Sequence, residues 1–220
     1  QDLPGGLVQS FTADPANNRL LATFNEDGPP SSTGVVVMRP GNPTPNKLVV
    51  TINGNATTGG FDAITVQGSQ YYVSASAPVA PADNVFASLT INEAGGTATV
   101  NPLLSGTAPA TDIVGTGTAL SITDPDSNGV VPNGPYAGLT YLVGESDKQL
   151  VFINTPAANA IKFENIATAA GDLVWPTAST GTLYFTDNGT GVTSAVSSNS
   201  WTVSQPIIAS PIKAGETAQP

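Results

Sequence analysis

Between clusters of Gly, Pro, Asn and Asp, the chain carries run after run in which β-branched and aromatic residues recur at every second position, the period of a half-buried strand. Among these runs are "RLLATF" (Arg19 to Phe24), "GVVVMRP" (Gly34 to Pro40), "KLVVTING" (Lys47 to Gly54), "DAITVQGSQYYVSAS" (Asp62 to Ser76) and "VFASLTI" (Val85 to Ile91). "TATVNP" (Thr97 to Pro102), "GLTYLVGES" (Gly138 to Ser146), "QLVFINTP" (Gln149 to Pro156), "AIKFENI" (Ala160 to Ile166), "TLYFTDNG" (Thr182 to Gly189) and "SWTVSQPI" (Ser200 to Ile207) continue the series. The best helical candidate, Pro156 to Ala170, places Ile161, Phe163 and Ile166 where a strand suits them at least as well. The fold class expected is therefore all-β, with little helix.

A small turn, a few large apolar residues and then Ser, Thr or Gly form a unit that occurs four times, in "DPANNRLLAT", "VQGSQYYVS", "DPDSNGVVPNGPYAGLTYLVG" and "PTASTGTLYFT". Leu20 to Tyr71 spans 51 residues and Tyr71 to Leu183 spans 112, two intervals of 56, with the third copy lengthened by "VPNGPYAG". Repeats of about 50–56 residues, each with about four short strands, describe β-propeller blades. Two packed sheets in a β-sandwich would show the same strands and turn spacing. Four such units occupy residues 1–206, and 207–220 form an extended C-terminal tail able to lie along a sheet edge as an added strand.

In the style of these repeats the chain resembles secreted β-propellers of the SMP-30/gluconolactonase and NHL-repeat type. The residues that carry the resemblance are "ADPANNRLLATF", "GGFDAITVQGSQYYVSAS", "TDPDSNG" and "GLTYLVGESDKQLVFINTP", within Phe11 to Pro206. That family closes its ring with six or so blades, so the resemblance implies a longer polypeptide or two chains per ring, unless the sheets form a sandwich. It also implies a calcium ion in a central channel, held by Glu, Asn and Asp and polarising a lactone carbonyl. No set of positions here matches those ligands, and no "PEGP"-like opening is present.

Composition narrows the chemistry. With no His and no Cys, the chain lacks the Ser-His-Asp and Cys-His systems, His-ligated zinc and thiol redox chemistry. Carboxylates, hydroxyls, tyrosines and lysines remain. Six Lys plus Arg against sixteen Asp plus Glu give a formal charge of -10, and Arg19, Arg39, Lys47, Lys148, Lys162 and Lys213 are scattered along the chain. Nucleic acid is thereby an unsuitable partner, since phosphates require clustered cations. No apolar run approaches the length of a membrane-spanning helix. Gln1 in place of Met, low lysine content and the sequons "NAT" at Asn55 and "NGT" at Asn188 set the expectation of a mature, secreted glycoprotein.

"TDPDSNG" is the principal candidate site. Asp124, Asp126, Asn128 and Gly129 follow the opening of a calcium loop, in which alternating oxygens converge and glycine bends the backbone. Position twelve of such a loop is Pro135 rather than a bidentate Glu, so the candidate calcium site consists of Asp124, Asp126 and Asn128 with the Val130 carbonyl, and Glu145 or Asp147 from a neighbouring turn. The alternative is a hairpin turn, for which Asp, Asn and Gly are equally suited. Asp62 and Asp172, each beside an apolar strand, are the candidates for a carboxylate pair. Trp175 and Trp201 suit either core packing or a sugar-stacking platform, and Tyr71 and Tyr72 point to opposite faces of one strand.

Together these features set the expectation of a secreted, non-catalytic β protein that acts by binding an extracellular small molecule or glycan, or by assembling into homo-oligomers or filaments. The alternative is a calcium-dependent lactonase or esterase.

Overall fold

The structure, a computed structural model, describes residues 8–24, 34–42, 44–52, 55–56, 60–76, 78, 83–187 and 191–209. Among them the one helical element is a 3-10 turn, Pro15–Asn17; the rest is strand, turn and loop, so the protein is all-β as expected.

Four strands, β1 (Val8–Asp14), β2 (Arg19–Phe24), β3 (Gly34–Met38) and β4 (Asn46–Ile52), form a first antiparallel meander, with the two-residue β5 (Asn55–Ala56) paired to β4. A second meander comprises β6 (Phe61–Gln67), β7 (Gln70–Ala75), β8 (Asn84–Asn92) and β9 (Thr97–Ser105). The run Asp62 to Ser76 is thus two strands rather than one, broken at Gly68, whose φ of 62° suits a tight turn. β4 and β9 pair in parallel, Val49 opposite Thr97 through Ile52 opposite Val100, which joins both meanders into one nine-stranded sheet. Its last strand, β6, comes back against β1 and β2, so the sheet is a nearly closed barrel.

The third meander is β11 (Pro125–Val130), β12 (Thr140–Gly144), β13 (Gln149–Asn154) and β14 (Asn159–Asn165), extended by the parallel two-residue β10 (Thr111–Asp112). Two ribbons follow. β15 (Asp172–Val174) pairs with β18 (Ile207–Ala209), and β16 (Gly181–Asp187) with β17 (Val192–Ser198). The tail expected from Ile207 onward therefore begins as a strand of this chain's own ribbon; residues 210–220 lie outside the described residues.

Three cores lie between successive layers. Leu21, Val35, Leu48, Ile64 and Val73 fill the space between the first and second meanders. Tyr72, Phe86, Ile122, Leu142, Val151 and Phe163 fill that between the second and third. Val143, Leu150, Phe152 and Leu173 join the third to the β15–β18 ribbon. Alternation along a strand sends neighbours into different cores: Tyr72 and Val73 enter the second and first, Val151 and Phe152 the second and third. Strands covered on both faces, such as "TYLVG" and "QLVFIN", accordingly read as unbroken apolar runs. The first strands of the layers lie side by side, β1 against β6, β6 against β11 and β11 against β15.

Candidate functional site

The segment read as a calcium loop or a turn is instead a strand. Pro125 pairs with Gly144 and Asn128 with Leu142, so three steps along β11 answer two along β12, and a β-bulge absorbs the extra residue. Asn128 keeps the face of Leu142, toward the second meander. There its Nδ2 donates to Ser74 Oγ (3.0 Å) and to the Ala63 carbonyl (3.3 Å), and its own carbonyl accepts from Thr65 Oγ1 (3.0 Å). Asp126, within the bulge, takes the opposite face, toward the loop before β15: a Cβ at Gly171 would lie 3.5 Å from Asp126 Oδ2 and 3.7 Å from Glu145 Oε1. Gly129 serves close packing, because a Cβ there would meet the Tyr141 ring at 2.7 Å.

The structure therefore parts Asn128 from Asp126 and gathers other carboxylates round the latter. Asp126 is hydrogen-bonded to Glu145, and the charges of Glu145, Asp172 and Asp124 all reach it. Burial first, and then these three like charges, push Asp126 up to about 8, so at neutral pH it holds the proton and donates it to Glu145. Glu145 is raised as well, by burial and by Asp124, against the lowering effect of the bond from Asp126. Asp147 acts instead on the backbone. Its carboxylate accepts from Thr123 N (2.6 Å), Thr123 Oγ1 (2.9 Å) and Asp124 N (3.0 Å), fastening the entry to β11. Asp124 in turn accepts from Ser146 Oγ at 2.5 Å. Among the described residues no three His, Cys, Asp or Glu side chains are grouped so as to hold a metal ion.

Of the other candidates, Asp62 lies on β6 and Asp172 on β15, with β11 between those strands. Asn55 lies on β5, its side chain outside the described residues, as is Asn188. Tyr72 is fully buried, and Tyr71, facing the first core, carries its hydroxyl into a polar cluster. That cluster was invisible in sequence. Arg19 donates to Asp14 (2.8 Å), to Glu93 (2.8 Å) and to the Tyr71 hydroxyl (2.8 Å), while Arg39 grips both oxygens of Glu93 at 2.8 and 2.7 Å.

Trp175 and Trp201 line an open groove between the β15–β18 ribbon and the start of β16. Trp175 also packs on Tyr141, at 6.4 Å between ring centroids, so it serves both core and groove. Beyond the groove, hairpin β16–β17 pairs with no other strand among the described residues and is exposed along nearly its whole length. Its two faces differ. One carries Leu183, Phe185, Val192 and Val196, with Ser194 paired opposite Phe185 and Asp187 paired opposite Val192 at its far end; on the other, Tyr184 stands between the hydroxyl pairs Thr182–Ser197 and Thr186–Thr193, each at 2.9 Å.

No family model matches the chain, and no curated protein matches it. Among solved structures it is similar to the crystal structure of a protein from Lactobacillus plantarum, at 14% identity and a TM-score of 0.47 over 96% of this chain. That similarity takes in 58% of the Lactobacillus protein, so the present chain spans less than two thirds of its length.

Proposed function

We propose that the protein is an extracellular, non-catalytic β protein that works by joining copies of itself through hairpin β16–β17. The observation that carries this reading is the hairpin itself: two strands that, among the described residues, pair only with each other, and an apolar face on which Phe185, Val192 and Val196 are 47%, 56% and 46% exposed. A lone two-stranded ribbon is marginal in water, and an open edge is a template for a further strand. An antiparallel edge is also self-complementary about a two-fold axis, so a second copy is the partner that fits. Charge favours the same place. From Leu173 to Ala209 the sequence holds a single charged residue, Asp187, in a chain of formal charge -10. Two copies therefore meet there with the least like-charge repulsion.

Light scattering over a wide concentration range is the test. The mass should rise from that of one chain toward a multiple, and Phe185→Lys or Val196→Lys, each adding a charge to the apolar face, should raise the midpoint concentration about tenfold or more. Circular dichroism should be unchanged in these variants. A single-chain mass at every concentration would overturn the proposal.

A further inference from the structure

The groove at the base of the hairpin carries a second inference, independent of self-association. It is lined by Trp175, Trp201, Thr177, Thr180, Thr182 and Leu183 among others, none of them charged, and encloses about 210 Å³. Drug-sized ligands occupy roughly 300–1,000 Å³, so this space accepts about one ring rather than an extended molecule. Trp201 is held in place at both ends: its backbone N–H donates to the Ser179 carbonyl (2.7 Å) and its indole Nε1 to the Gly181 carbonyl (3.3 Å). Trp175 is fixed by Tyr141, and its Nε1 is buried without a hydrogen-bond partner among the described residues.

An aromatic face presents a flat apolar surface, and threonine hydroxyls both donate and accept. Anions and cations find no counter-charge in such a lining. A purely apolar ligand would leave the Thr177 and Thr180 hydroxyls without use, while that of Thr182 is held by Ser197. A pyranose ring satisfies both halves, with its C–H face on indole and its rim of hydroxyls toward threonine. We propose that this groove is a binding subsite for one ring of a neutral saccharide, with Trp201 and Trp175 as its aromatic walls.

These are the only tryptophans in the sequence, so emission excited at the red edge of the absorption band, where the five tyrosines do not absorb, reports on the groove. Cellohexaose, chitohexaose and mannohexaose would be titrated into the full chain, with indole as an apolar control probe. A saturable emission change with at least one hexaose is expected at micromolar to millimolar concentration. Trp201→Ala should weaken it about tenfold or more, the worth of a stacking contact. Thr177→Val with Thr180→Val supplies a variant that leaves both tryptophans in place and exchanges two rim hydroxyls for methyl groups of nearly the same shape, so the fold should persist while the saccharide signal weakens about tenfold or more. The proposal is overturned if none of the three saccharides gives a saturable change, if indole alone does, or if this double variant binds as the unaltered protein does. Running the same titrations on Phe185→Lys separates loss of the groove from loss of assembly.

Discussion

Asp126 and Asn128 stand two residues apart and look in opposite directions, although alternation in a regular strand would set them on one face. The bulge decides it. Spacing of oxygen ligands was legible in the sequence, and so was the approach of Glu145; the bulge was not, because it depends on how β11 registers against β12. Its consequence is a carboxyl group whose value is about 8 in the fold against 3.8 as the ordinary reference. A raised value means that the folded protein holds a proton the unfolded chain has released. This contribution is therefore fully present below about pH 4 and is lost as pH rises through about 8, by at most about 1.4 kcal/mol per pH unit. Lys148, in the same β12–β13 turn, makes no ion pair with these carboxylates among the described residues. Asp126→Asn should remove the dependence, leaving the variant similar to the unaltered protein near pH 5 and more stable than it by up to about 4 kcal/mol near pH 9. Urea unfolding at the two pH values measures this, and parallel curves for both proteins would refute it.

At the scale of elements, β1 and β6 are neighbours without a ladder of hydrogen bonds, so closure of the first sheet falls to side chains: at one end Thr23 Oγ1 donates to the Asp62 carbonyl (3.3 Å), and at the other stands an ionic cluster. Arg19 anchors it from the start of β2, reaching Asp14 at the end of β1, Tyr71 on β7 and Glu93 in the turn between β8 and β9. Burial works against the Asp14 carboxylate, but hydrogen bonds from Arg19, Asn17 and Tyr71 outweigh it and hold the group below its usual range. The Arg19 and Asp14 side chains are 6% and 1% exposed, so neither charge has water to fall back on. Arg19→Met should therefore destabilise by about 3–5 kcal/mol, while Arg19→Met with Asp14→Asn should recover a large part of the loss. A double-mutant cycle in urea is the check; additive effects would show that the pair is not coupled. Strands such as β2, β3 and β13 were legible because their alternation or unbroken apolar character is local. The network was not, since Arg19 and Arg39 are scattered in sequence and converge on Glu93 only once three turns meet.

For the whole molecule, the strand content was legible run by run, and the layers follow one another in chain order. β1, β6, β11 and β15 begin at Val8, Phe61, Pro125 and Asp172, with the longest interval where residues 106–124 make an excursion that carries β10. The parallel join of β4 to β9 leaves no local mark, as a pairing between distant segments draws on no turn of its own. The layering also sets a gradient of stability. β12 and β13 have cores on both faces, whereas β16 and β17 are exposed on both and, among the described residues, paired only with each other. Amides that open only with the whole fold exchange slowest, and those of marginal ribbons open locally. Hydrogen exchange on dilute protein should therefore find β12 and β13 the most protected and β16–β17 the least, by several orders of magnitude in rate. Raising the protein concentration should slow exchange in β16–β17 alone if that hairpin joins copies, because only there would new partners cover backbone groups that the single chain leaves open to water. Uniform protection across the layers would contradict the gradient, and a β16–β17 rate that ignores concentration would contradict the proposed assembly while leaving the gradient intact.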